Sequence, residues 1–181
     1  MKKVMLVAGL LTILGLTTLL PLANASVAVG NANTATATAT AKADIVRGLT
    51  IAKTQDLNFG QIVPNRGGVI TVSTEGSRTS TDPAMLIPET YDAPLAAAFD
   101  VTGDGAHAFQ IILPEATKIT NGKDSMVVDR FVSSLGSESK LSGELNETGK
   151  QDFTVGANLK VDANQSAGAY AGTFEVTVTY Q

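Results

Sequence analysis

The chain has 181 residues, no Cys, no Trp, a single His and a formal charge of −4. These counts exclude disulfide stapling, thiol catalysis and Cys-based zinc centres. An acidic balance with scattered Lys and no basic stripe excludes nucleic acid as an expected partner.

Lys2 and Lys3 form a short basic start, and residues 4–20 are an uncharged apolar stretch broken by Pro21. Ala23-Asn24-Ala25 then supplies a small-x-small cleavage site, so residues 1–25 are expected to be a signal peptide and Ser26 the start of the exported chain. No Cys stands at that site, so no lipid anchor is expected. Removing Lys2 and Lys3 leaves 11 basic against 17 acidic side chains, a formal charge of −6, over one domain-sized chain.

Residues 26–43 form an Ala/Thr-rich extension. Ala35, Ala37, Ala39, Ala41 and Ala43 fall in one phase, with Thr34, Thr36, Thr38, Thr40 and Lys42 in the other. Val27, Val29 and Ile45 continue the Ala phase. Exact period two reads as a strand; the same composition also suits a flexible linker.

From residue 44 a single domain is expected. Strands are read over 45–51, 56–63 and 69–72, the last entered by the turn Arg66-Gly67-Gly68. Residues 73–94, with Gly76, Pro83, Pro88 and Pro94, read as a long loop holding at most a short strand. Runs 96–101 and 108–113 flank Thr102-Gly103-Asp104-Gly105 and read as a hairpin. Asn121-Gly122 marks a tight turn ahead of 126–132. Short strands follow over 141–145, 151–155 and 158–161, and 174–180 closes with strict alternation. Many short strands punctuated by turns mean an all-β, antiparallel β-sandwich of immunoglobulin-like type.

No residue pattern carries catalysis or a cofactor. His107, alone and without Cys, is a poor start for a metal centre and reads as a turn histidine. No G-x-S-x-G elbow accompanies the Ser residues. Asp100 to Gly105 loosely suggests a calcium loop, but Ile111 stands where its twelfth-position Glu belongs. Carboxylate pairs for glycoside hydrolysis lack a stacking Trp. The protein is read as not an enzyme, with no cofactor and no metal.

The C-terminus is the most informative stretch. Tyr170, Gly172, Phe174, Val176, Val178 and Tyr180 share one phase, with Glu175, Thr177 and Thr179 in the other. Gly168 stands fourteenth from the end and Tyr180 is penultimate. In that spacing the sequence resembles subunits assembled by bacterial chaperone–usher systems, including the spore coat protein U group. Leu57-Asn58-Phe59-Gly60 resembles the L-x-F-G that follows their first strand. Over residues 40–181 the chain is also similar to an exported bacterial family known only as a domain of unknown function. That family carries a hairpin like Ala97-Ala98-Phe99-Asp100-Val101-Thr102-Gly103 and the same alternating ending. The Cys pair that tethers the first strands of many pilins is absent.

The resemblance implies a pilin-type sandwich that lacks its last strand. Gly168, Tyr170, Phe174, Val176, Val178 and Tyr180 would form the strand that contacts a chaperone or the next subunit. Ala35, Ala37, Ala39, Ala41 and Ala43 would face the groove of a neighbour as its donor strand. The implied function is a structural subunit of a fimbria- or pilus-like filament supporting adhesion. Its partners would be other copies of itself, with a periplasmic chaperone and an outer-membrane usher. The route would run through the periplasm to the cell surface. The alternative is a monomeric secreted or surface binding module, an adhesin or carbohydrate-binding sandwich.

Overall fold

The computed structural model describes residues 33–64, 66–87, 92–136 and 141–181; the expected signal peptide and residues 26–32 lie outside these. The chain divides into two units, residues 1–43 and 44–181. In the first, the described residues 33–43 are exposed and form no strand, so the expected period-two strand has no ladder partner among the described residues.

The described residues of the second unit form ten strands: β1 (Thr50–Gln55), β2 (Gly68–Val72), β3 (Arg78–Ser80), β4 (Ala97–Thr102), β5 (Ala108–Ile112), β6 (Ala116–Thr120), β7 (Ser125–Ser133), β8 (Ser142–Glu144), β9 (Lys150–Val161) and β10 (Thr177–Tyr180). One 3-10 turn, Pro83–Met85, is capped by the Asp82 side chain. All ladders are antiparallel. A seven-stranded sheet is centred on β9, which pairs β4 along its first half, β2 along its second and β7 along 155–160. β1 and β3 lie on its edges beside β4 and β2, and β6 pairs β7. The second sheet has the order β10-β5-β8.

Alternation decides which faces meet. Phe153, Val155, Ala157, Leu159 and Val161 of β9 are buried, as are Phe99 and Val101 of β4 and Phe109 and Ile111 of β5. Two apolar clusters fill the space. One gathers Phe59, Ile70, Val72, Met85, Met126, Val128 and Leu159. The other gathers Phe99, Val101, Phe109, Ile111, Leu145, Phe153 and Val155. Leu57 and Phe131 pack against both. The molecule is therefore a two-sheet antiparallel β-sandwich with almost no helix among the described residues, as the turn spacing implies.

Several elements differ from expectation: the strand expected over 45–51 begins only at Thr50, that over 174–180 only at Thr177, and β6 was not expected. The run 96–113 is not a hairpin: β4 pairs β1 and β9, whereas β5 pairs β10 and β8, so the connection crosses between sheets. The amides of the connection bond elsewhere. Gly103 N donates to Gly149 O (2.9 Å), Ala106 N to Asn146 O (3.2 Å) and Asp104 N to the Tyr180 hydroxyl (2.7 Å). The strand expected over 56–63 holds only isolated bridges, Asn58 to Leu95 and Ile62 to Leu86, while β1 spans the gap between the two expected strands. The pair 151–155 and 158–161 is one twelve-residue strand that keeps its phase through Gly156. Asn121-Gly122 does close a hairpin, between β6 and β7.

Candidate functional site

The Leu57-Asn58-Phe59-Gly60 segment leaves β1 and runs along the rim of the first cluster. Asn58 fixes it. Its backbone exchanges two hydrogen bonds with Leu95 (2.8 and 2.9 Å), its side-chain amide donates to Asp92 Oδ1 (2.8 Å), and its Oδ1 accepts from Gly60 N (2.9 Å). Gly60 has φ 71°, and a Cβ there would stand 2.8 Å from the Asp92 carbonyl oxygen and 2.5 Å from the Arg78 guanidinium, which favours glycine. Arg78 in turn donates to the carbonyls of Phe59 (2.9 Å), Gln61 (3.1 Å) and Ile87 (2.7 Å). Phe59 is thereby anchored in the core and Leu57 is held over the seam between the clusters.

The C-terminal segment approaches from the other side. Gly168 has φ 154°, a conformation that glycine tolerates best, and lies against Asn121. Tyr170 donates its hydroxyl hydrogen to Ser166 O (2.9 Å) and accepts from Gln165 Nε2 (2.9 Å). Ser166 also bonds the Asp124 carboxylate. Ala171 exchanges two backbone hydrogen bonds with Thr120 of β6 (2.9 and 3.0 Å), and Thr173 O accepts from the Thr117 hydroxyl (2.8 Å). From Thr177 onward the strand pairs β5. In an extended chain consecutive residues turn their N–H and C=O to opposite edges. The odd-numbered positions therefore serve β6 and β5, and the even ones face away. The backbone of Gly172, Phe174 and Val176 has no hydrogen-bond partner among the described residues, and neither has that of Leu57 across from it.

Between these unpaired edges lies a groove of about 1040 Å³. Leu57, Phe59, Met126, Val128 and Leu159 line it, with Tyr170 and Phe174 on the C-terminal wall. Its rim is polar, with Gln55, Asn58, Asp92 and Gln165 among the lining residues. The C-terminal wall of the groove ends at Phe174. Beyond it, Leu49 and Ile51 pack on the second cluster together with Val178 and Tyr180. There the Tyr180 hydroxyl accepts from Asp104 N and donates to Arg47 O, each at 2.7 Å.

Of the six residues read as a contact strand, Gly168, Tyr170 and Phe174 line the groove. Val176, Val178 and Tyr180 pack on the second cluster. The four alternating side chains from Phe174 to Tyr180 are each half-buried, and Glu175, Thr177 and Thr179 are exposed, in the expected phase. Phe174 rests 4.9 Å from the Phe131 ring and 6.3 Å from that of Phe99, centroid to centroid. Phe131 reaches it through a bulge at 129–132 with Arg130 at φ 50°, which sequence alone does not signal. Arg78 is the other residue missed, because a lone Arg in a loop-like stretch carries no sequence mark of a clamp. Ala35, Ala37, Ala39, Ala41 and Ala43 are exposed.

Ionisable groups lie apart from the groove floor. His107 is exposed, with Nδ1 donating to Gly105 O (2.8 Å) and 3.6 Å from Asp104 Oδ2. The Glu75 carboxyl, in the β2–β3 turn, is held below the usual carboxylate range first by the Ser73 hydroxyl and then by that of Thr74. Among the described residues, no three His, Asp or Glu side chains come together in a way that could hold a metal ion.

Residues 49–180 match a family model described as a domain of unknown function (DUF4402), and the chain belongs to that family. A comparison with curated proteins found no match.

Proposed function

We propose that this member of the DUF4402 family is a structural subunit of a surface filament, polymerising by strand exchange on an incomplete immunoglobulin-like sandwich. The single observation behind this reading is the groove: two facing, unpaired backbone edges over an apolar floor of about 1040 Å³. Unpaired edges beside exposed core are an aggregation hazard in a lone domain and a docking site for an added strand. One occupant is at hand in the same sequence. The extension has a face made only of Ala from 35 to 43, its described part is exposed, and it precedes β1. An extension that fills the groove of a second copy makes a head-to-tail, non-closing contact, which gives fibres. Methyl groups contribute only about 0.8 kcal/mol per buried carbon, so backbone pairing along Gly172 to Val176 supplies much of the remainder. An export signal at residues 1–25, passage through the periplasm and a chaperone that covers the groove before assembly belong to this reading.

The test is polymer yield for two double variants. Ala37→Asp with Ala39→Asp puts unpaired charge against the apolar floor, at a cost of several kcal/mol, on the order of that for a broken buried pair. Thr36→Asp with Thr38→Asp puts the same charge on the opposite, solvent-facing side. The first pair is expected to abolish polymer and the second to preserve it. Equal assembly by both overturns the strand-exchange mechanism, and a parent chain that forms no polymer favours a monomeric binding module.

A further inference from the structure

The groove is shorter than the extension, and that difference divides the extension into parts. The open edge runs from Gly168, through the unpaired Gly172, Phe174 and Val176, to the point where β10 begins. Beyond it, Leu49, Ile51 and Val178 pack on the second cluster and Tyr180 is bonded to Arg47 O, and none of these residues lines the groove. Residues 168–176 are nine positions, about 30 Å of strand at ~3.3 Å each. The Ala phase has its own limits of the same length. Upstream, the next inward positions are Asn33 and Asn31, polar side chains that an apolar floor would leave unsatisfied. Downstream, the next inward position is Ile45, and it is 98% exposed, with Val46 beside it 48% exposed.

Resting on the strand-exchange reading above, we propose that the groove seats residues 35–43 of a second copy and no more. Arg47 and Leu49 are held by their own domain, so residues 44–46 form the link between subunits, spanning roughly 10 Å when extended. Ile45 and Val46 sit in that link, where two domains stand side by side. They are the apolar contact between neighbouring subunits at the groove mouth. This accounts for a fully exposed Ile five positions before β1, a place where the lone domain makes no use of it. Residues 26–34 stay outside the groove.

Three single variants of the full chain test this, scored by sedimentable polymer and by the melting temperature of the monomer. Val29→Asp is expected to polymerise as the parent does. Ile45→Asp is expected to lower polymer yield about tenfold, as loss of one well-buried apolar contact would. Its monomer melting temperature should be unchanged, because Ile45 is exposed there. Ala39→Asp is the control for strand exchange itself and is expected to give no polymer. If Val29→Asp blocks assembly as fully as Ala39→Asp, the docked segment reaches further upstream and the nine-residue limit is wrong. If Ile45→Asp polymerises like the parent, the junction contact is wrong. If Ala39→Asp assembles normally, or the parent never does, the strand-exchange reading falls and this inference with it.

Discussion

Tyr180 carries more of the structure than its position in an alternating strand suggests. Its ring packs on the second cluster and stands edge-on to His107 at 5.7 Å, while its hydroxyl joins Asp104 N to Arg47 O. Tyr180→Phe keeps the ring and removes both bonds, leaving a half-buried amide and a carbonyl to find water. The expected loss is about 1–2 kcal/mol in a denaturant titration, with the β spectrum unchanged. A variant as stable as the parent would show that the hydroxyl closes nothing. The alternating phase of this strand was legible in the sequence because period two survives wherever one face is covered. The hydroxyl's partners were not, since Arg47 and Asp104 are 133 and 76 residues away in the chain. The Leu57-Asn58-Phe59-Gly60 motif was likewise visible as letters. Its physical reason, a Gly against Arg78 and the Asp92 carbonyl and an Asn bonding on both sides, lies in partners distant in the chain.

Among the elements, β9 ties the larger sheet together, and Gly156 is the position where it meets most resistance to change. A Cβ there would stand 2.3 Å from Val72 O and 2.8 Å from Ser73 C, both backbone atoms. Gly156→Ala must therefore shift β2 against β9, and is expected to cost about 1–3 kcal/mol, read as a lower denaturation midpoint. An unchanged midpoint would mean that β2 slides freely. That same glycine is why the strand read as two short ones: Gly in a run weakens the pattern, although the buried phase continues from Phe153 to Val161. The expected hairpin between β4 and β5 fails for a different reason. Gly-Asp-Gly between two β-rich runs is a sound local signal, but the amides of this loop are taken by Tyr180 and by the 146–149 turn. Those long-range bonds draw β5 to the other sheet. β6 (Ala116–Thr120) escaped notice because only Thr117 and Ile119 are half-buried, one short face of an edge strand.

For the whole molecule, the fold class followed from composition and turn spacing, whereas the groove did not. An alternating strand reads the same whether its far edge is paired or empty. The emptiness becomes visible only when Gly172, Phe174 and Val176 are found without partners opposite Leu57. On the strand-exchange reading, this edge is open in the single chain and filled in the polymer. Amide hydrogen exchange at Gly172, Phe174 and Val176 measures it most directly, on the chain from Ser26 before and after assembly. The expected result is rapid exchange in the monomer and strong protection in the polymer, with the amides of β9 protected in both. Polymer in which these three amides still exchange as fast as in the monomer would contradict the account.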